Sequence, residues 1–200
     1  MTTDTAETFL VQALAKDLEK RGLADLLPQW QMMPVERMTM ISILQQLKPD
    51  VAIEIGTAQG GSLAAISNFS KNVYTLDIEQ SCKQKLEKRF KNVKFVVGDS
   101  GKNIPAVLEE IKKQKRDLEF VLVDGDHSRE GVRRDLNAIL QYRPRKPMII
   151  VMHDGFNPPC RFGMLDAKWS DNPHVHSVNL DFVPGIAMQI TDSHGTMAPL

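Results

Sequence analysis

The sequence predicts an α/β protein with a doubly wound, mostly parallel sheet, and three observations predict it. From residue 51 onward, short apolar runs at 51–56, 72–77, 93–98, 118–124 and 147–153 alternate with helical stretches near 61–69, 80–90, 102–115 and 129–142, the pattern of successive βα units. Phe120-Val-Leu-Val123 and Met148-Ile-Ile-Val-Met152 are nearly continuous in apolar residues, as central strands covered on both faces should be. Two closing runs, 176–183 and 186–191, are joined only by Pro184-Gly185, which predicts an antiparallel hairpin and brings the sheet to seven strands.

The elements follow in order. Residues 5–21 carry Phe9, Leu10, Leu14 and Leu18 at roughly helical spacing, with Asp17, Glu19, Lys20 and Arg21 toward solvent and Gly22 placed to stop the helix. A second helix runs from Pro34 to Leu47, with one proline at its start and Pro49 after its end. Met32, Met33, Met38 and Met40 crowd there, and they suit either an adaptable cover over a pocket or plain packing on a sheet edge. Lys83, Lys85, Lys88, Arg89 and Lys91 are interleaved with Glu79 and Glu87 at helical period, which reads as a solvated helix face. After Asp154 comes a loop and then an irregular or helical piece containing Trp169. The expected organisation is N-terminal helices over 1–48 acting as cap or packing segment, a cofactor-binding domain over 49–192, and a loose tail over 193–200.

With 200 residues, 42% of them hydrophobic, the chain suits one domain with a sizeable core. Lys+Arg and Asp+Glu both number 25, so no net basic charge recommends nucleic acid or a membrane surface as partner. Cys82 and Cys160 stand far apart in no C-x-x-C arrangement, which argues against a disulfide framework or structural zinc and for a reducing compartment. The first residues lack a signal-peptide pattern, and no run approaches the ~20 apolar residues of a membrane span. The expectation is a soluble cytoplasmic protein, with homo-oligomerisation left open.

In an open α/β sheet, ligands sit beyond the carboxyl ends of the strands, so what each strand ends with is informative. The first enters the turn of Val51-Ala-Ile-Glu-Ile-Gly-Thr-Ala-Gln-Gly-Gly-Ser62, where glycines let a backbone approach a nucleotide-like ligand and the following helix start offers free N–H groups. The second ends at Asp77, about 20 residues past the first glycine, where a ribose diol would need an acceptor. The third ends at Gly98-Asp99-Ser100, the fourth at Asp124-Gly-Asp-His127, and the fifth at His153-Asp154. Each has a plain reading as a cap or turn, but their coincidence on one rim points to a ligand site.

Together, Glu54-Ile-Gly-Thr-Ala-Gln-Gly-Gly-Ser62, Asp77, Gly98-Asp99 and Val123-Asp-Gly-Asp-His127 resemble the class I S-adenosylmethionine-dependent methyltransferases. Within these the likeness is to small O-methyltransferases of the catechol and caffeoyl-coenzyme A type, and to the bacterial family sharing an Asp-Gly-Asp-His segment, which includes cephalosporin-hydroxylase-like proteins. The resemblance covers roughly residues 35–190. It implies O-methylation of a small hydroxylated substrate, with S-adenosylmethionine as methyl donor.

Carried over, the resemblance gives the glycine turn, with Glu54, Gly56 and Ser62, to the methionine portion of the cofactor. Asp77 falls to the ribose, and Asp99 with Ser100 to the adenine. Thr57, Ala58, Gly60, Gly61, Ile78 and Asp124 complete the implied cofactor contacts. Asp124 and Asp154 match acids that hold a magnesium-like cation, with His127 nearby. The catechol type follows its second metal acid with an Asn, whereas this chain has Gly155, so His153, Asp126 or water would complete such a site. Without metal, His127 or His153 becomes the base. Competing readings are a nicotinamide oxidoreductase on a similar sheet, opposed by the glycine spacing and the lack of a Tyr-x-x-x-Lys pair, and a non-catalytic cofactor-binding or hydroxylase-associated protein.

Overall fold

Five strands, β1 (Val51–Ile55), β2 (Asn72–Asp77), β3 (Val93–Val97), β4 (Leu118–Val123) and β5 (Ile149–Met152), pair in parallel in the order β3-β2-β1-β4-β5. They are seen in a computed structural model, which describes residues 3–181. The chain enters the sheet at its middle, steps outward through β2 to β3, and returns to place β4 on the other side of β1. That reversal opens a crevice above the ends of β1 and β4. The register brings the strand ends level, with Ile55 opposite both Leu76 and Val123.

Helices cover both faces because alternate residues of each strand point to opposite sides. On one face Ala52, Phe120 and Leu122 pack with α3 (Gly61–Phe69) and with the N-terminal α1 (Thr3–Lys20) and α2 (Pro34–Leu47), through Leu14, Leu18, Leu44, Leu63 and Ile66. On the other, Ile53, Ile55 and Val121 meet α5 (Ser100–Lys113), α6 (Arg129–Ile139) and α7 (Pro158–Leu165), through Ile104, Ile111, Leu136 and Met164. The expected glycine stop holds: Gly22 has φ +68°, and the Leu23 and Gly22 amides donate back to the Leu18 and Glu19 carbonyls, closing the end of α1. Leu14 and Leu18 of that helix are buried, whereas Phe9 is exposed.

Several elements differ from their sequence-based reading. The second predicted helical stretch after the glycine turn is only α4 (Gln80–Leu86), finishing in a 3-10 turn at Glu87–Arg89, and α6 stops at Ile139. β5 is not central. Among the described residues it is the outer strand beside β4, and Ile149 is 38% exposed. The described part of the predicted hairpin, residues 176–181, forms no strand, and 182–191 and the predicted tail lie outside the described residues. Local bonds take the place of a ladder near its start: the Asp181 and His174 amides donate to the side-chain oxygens of Asn179 and Asn172, which favours turns over extended pairing. The described sheet therefore has five strands rather than seven. Among the described residues no helix is long and apolar enough to cross a membrane.

Candidate functional site

The turn after β1 is built for close approach. Gly56 has φ +93°, and a Cβ there would lie 2.0 Å from the Asp124 carbonyl oxygen, so only glycine lets the ends of β1 and β4 come together. At Gly61 a Cβ would fall 2.3 Å from Cα of Trp30, which lets α3 begin directly against the segment leading from α1 to α2. Asp77 pins the turn: its Oδ2 accepts from the amides of Thr57 (2.9 Å) and Ala58 (3.0 Å), and its Oδ1 from Glu79 (2.8 Å). These bonds hold Ala58 at a φ of 44°, a conformation alanine rarely adopts.

Beneath the turn lies Glu54, wholly buried in β1. Its Oε1 accepts from Ser62 Oγ (2.6 Å) and its Oε2 from Thr75 Oγ1 (2.7 Å). Burial pushes its carboxyl up to about 8, against the two hydroxyl donors, which favour the charged form. Glu54 thus supports the turn from below.

The turn opens on a cavity of about 480 Å³ that also reaches Trp30, Ile78, Asp99, Ser100 and Arg134. Of the residues predicted to contact a cofactor, Gly56, Thr57, Ala58, Gly61, Ser62, Asp77, Ile78, Asp99, Ser100 and Asp124 line it. Glu54 does not, nor does Gly60, which instead caps α3 with φ +85°. Asp99 also caps α5, accepting from the Lys102 amide at 3.1 Å. Ser100 donates to Asp135 Oδ1 at 2.7 Å. Burial raises the pKa of Asp135, although the Ser100 hydroxyl favours its charged form. The Trp30 indole Nε1 is buried in this wall with no hydrogen-bond partner among the described residues. A cavity of this size, with a pinned glycine turn and strand-end acids, fits a nucleoside cofactor.

At the edge of this cavity the ends of β4 and β5 bring two acids and two histidines together. His153 Nδ1 lies 3.1 Å from Asp124 Oδ1 and 3.2 Å from Asp154 Oδ2, while His127 Nε2 lies 3.5 and 3.3 Å from the same oxygens. The far nitrogen of His153, Nε2, is 3.3 Å from Glu36 Oε2, an acid in the first turn of α2. Burial alone would lower the His153 pKa, but the hydrogen bonds to Asp124, Asp154 and Glu36 overcome it and push the ring up to about 12. Burial likewise works against the Asp124 carboxylate, yet the bonds from His127 and His153 hold its pKa below the ordinary range. His127 is raised, chiefly by its hydrogen bond to Asp124.

Asp154 sits at φ +53°, which Asp tolerates better than most residues. Asp124, His127 and Asp154 each offer one ligand atom, all within 4.8 Å of one another, a donor set that fits a hard divalent cation. Asp126 turns elsewhere, to the Ser128 amide at 2.9 Å and Arg134 at 3.7 Å.

Beyond the cluster is a second cavity of about 400 Å³, between α2 and β5, reached by Glu36, His153 and Asp154. Met32 lines both cavities. Sequence reasoning missed Glu36 and Trp30. The one available signal for Glu36 was its place three residues past Met33, where a helix start favours an acid; its carboxylate indeed accepts from the Met33 amide at 2.7 Å.

Fold and site together define a doubly wound α/β domain with a glycine-turn cavity and an acid–histidine cluster at the switch point of its parallel sheet. Residues 27–174 match the family described as rhamnosyl O-methyltransferase/CmcI, and the chain belongs to that family. Rhamnosyl O-methyltransferases of Mycobacterium tuberculosis and Mycobacterium bovis are 29% identical to it over an alignment of 106 residues that covers 48% of this chain and 42% of each relative. The match spans less than half the length of those relatives.

Proposed function

We propose that the protein is an S-adenosylmethionine-dependent O-methyltransferase acting on a small hydroxylated acceptor. The observation that carries this reading is a pair of cavities that share Met32 and flank one cluster, the first walled by the glycine turn and reaching Asp124, the second reaching His153 and Asp154. Membership of an O-methyltransferase family supports it.

The bound cofactor would supply an electrophilic methyl group. Asp77, with three amides already on its carboxylate, keeps one acceptor site for a ribose hydroxyl while it holds the turn in place. Asp99 and Ser100 face the adenine end, and Gly61 and Ser62 begin the helix whose amides face the methionine end. Acceptor hydroxyls enter from the second cavity and meet Asp154. His153, with carboxylates against both ring nitrogens, donates from each and is a charged residue that positions Asp124 and Asp154. Without a cation, His127, half exposed and lining the cofactor cavity, is the better-placed base of the two histidines. Asp124, His127 and Asp154 would hold a magnesium-like cation, which would lower the pKa of the acceptor hydroxyl.

Calorimetry tests the cofactor half of the proposal. S-adenosylhomocysteine is expected to bind with micromolar-range affinity, and NAD and NADP not to bind. Heat with NADP and none with S-adenosylhomocysteine would overturn it. Transfer of labelled methyl to a panel of hydroxylated compounds tests the other half.

A further inference from the structure

We propose that Asp135 is a positioning residue that sets the base specificity of the cofactor cavity: it holds the hydroxyl hydrogen of Ser100, so that Ser100 can only accept from a bound base. The cavity then takes a purine with an exocyclic amino group and turns away its 6-keto counterpart. This rests on the methyltransferase reading above. Asp135 stands in α6 and is wholly buried, behind the wall that Asp99, Ser100 and Arg134 present to the cavity. Its Oδ1 accepts from Ser100 Oγ at 2.7 Å, and its Oδ2 has no hydrogen-bond partner among the described residues.

Two features fix the direction of that bond. A carboxylate only accepts, so the hydrogen between the two side chains belongs to Ser100. Ser100 is also the one hydrogen-bond donor to Asp135 among the described residues, and a buried carboxylate stripped of its donor is costly, so the hydroxyl does not turn away to serve a ligand. What Ser100 offers the cavity is lone pairs. Asp99 beside it is an acceptor too, already taking the Lys102 amide at 3.1 Å. The guanidinium of this wall, Arg134, lies across Gly101 at the start of α5, where a Cβ would come 2.5 Å from its Nε. It faces three carboxylates, Asp126 at 3.7 Å, Asp99 at 3.8 Å and Asp135 at 3.9 Å. Burial works against the charge of Asp135, whereas the Ser100 hydroxyl and Arg134 favour it. The amino group of adenine therefore finds acceptors here, and the oxygen of hypoxanthine would face their lone pairs.

The test is titration calorimetry with S-adenosylhomocysteine and its deaminated form, S-inosylhomocysteine, which differ at this edge of the base. The unaltered chain is expected to bind the adenosyl compound more tightly by about tenfold or more. Asp135→Asn, whose amide can donate where the carboxylate accepts, and Asp135→Ala, which leaves the hydroxyl without a partner, both release the Ser100 hydrogen. Each should narrow the ratio of the two affinities by about threefold or more, as should Ser100→Ala, which removes the hydroxyl itself. Asp135→Ala combined with Ser100→Ala should narrow it no further than Ser100→Ala alone, because Asp135 acts through that hydroxyl. A carboxylate that only supported the fold would weaken both compounds by one factor and leave their ratio as it was. The proposal is overturned if the unaltered chain binds the two compounds equally, if the ratio is unchanged in the Asp135 variants, if the double variant narrows it further, or if neither Asp135 variant binds the adenosyl compound. Absence of S-adenosylhomocysteine binding to the unaltered chain would remove the methyltransferase reading itself; its binding without preference over the inosyl compound removes only the part given to Asp135.

Discussion

Glu36 and Asp124 hold the two sides of one imidazole: His153 Nε2 is 3.3 Å from Glu36 Oε2, and its Nδ1 is 3.1 Å from Asp124 Oδ1. An acid from the helical segment preceding the sheet is thereby tied to an acid at the end of a central strand. Glu36→Gln keeps an oxygen for the Met33 amide but loses the charge facing His153. It is expected to lower kcat about tenfold, the scale of losing one charge-assisted hydrogen bond, with little change in KM for S-adenosylmethionine. Glu36→Ala also loses the helix-start bond and should cost about 1 kcal/mol of stability in denaturant unfolding. Equal kcat for Glu36→Gln and the unaltered chain would show that the contact does not matter to turnover.

Asp77 holds the amides of Thr57 and Ala58 and, under the proposed function, has a second task in meeting the ribose. Asp77→Ala should weaken S-adenosylhomocysteine binding by about 1–3 kcal/mol, the scale for removing the partner of a bound polar group. Titration calorimetry reads this directly. A change within error would mean that neither task bears on the ligand.

Glu54 predicts a pH dependence. Its carboxyl is raised from 4.5 to about 8 by burial, so the folded chain binds its proton more tightly than the unfolded chain does. The stability this contributes is complete below pH 4.5 and declines as pH rises to about 8. Glu54→Gln removes that slope. Urea unfolding at about pH 5 and about pH 9 should show the unaltered chain losing stability relative to the variant. Parallel profiles would contradict the burial argument.

If Asp124, His127 and Asp154 hold a cation, excess chelator should abolish methyl transfer and magnesium should restore it. Asp154→Asn, which tolerates the same positive φ, should reduce turnover at least tenfold while leaving S-adenosylhomocysteine affinity nearly unchanged. Full activity in chelator would leave the acid–histidine cluster working without metal.

Gly56 offers a structural control. Gly56→Ala would press a Cβ into the Asp124 carbonyl at an unfavourable φ, and it is expected to cost about 1–3 kcal/mol or more in thermal or urea unfolding. An unchanged midpoint would contradict the close approach of β1 and β4.

Much of this arrangement was legible in the sequence because it is local. A strand followed by Gly56, Gly60 and Gly61 announces its turn, and Asp77, Asp99, Asp124 and Asp154 announce strand ends by following apolar runs. What stayed hidden depends on contacts distant in the chain. Glu36 reaches His153 across 117 residues, and nothing in its helical surroundings marks that partner. Trp30 reads as one more apolar residue until Gly61 is seen packed on its backbone. The place of β5 was misread because its apolar run resembles that of β4, while its position depends on which strands pair with it. The hairpin is not seen over residues 176–181, where alternation alone does not register the amide bond that Asn179 accepts from Asp181; its second run lies outside the described residues.

Met32 is a wall common to both cavities and is itself almost wholly buried, so the space on its two sides cannot be filled independently. A ligand that turns its thioether toward one side enlarges one chamber at the expense of the other. If cofactor and acceptor fill the two cavities as proposed, that one side chain would couple them, and by linkage each would alter the affinity of the other by the same factor. Shortening that side chain would loosen the partition and bring the factor toward one, so that each molecule would bind as tightly in the presence of the other as in its absence.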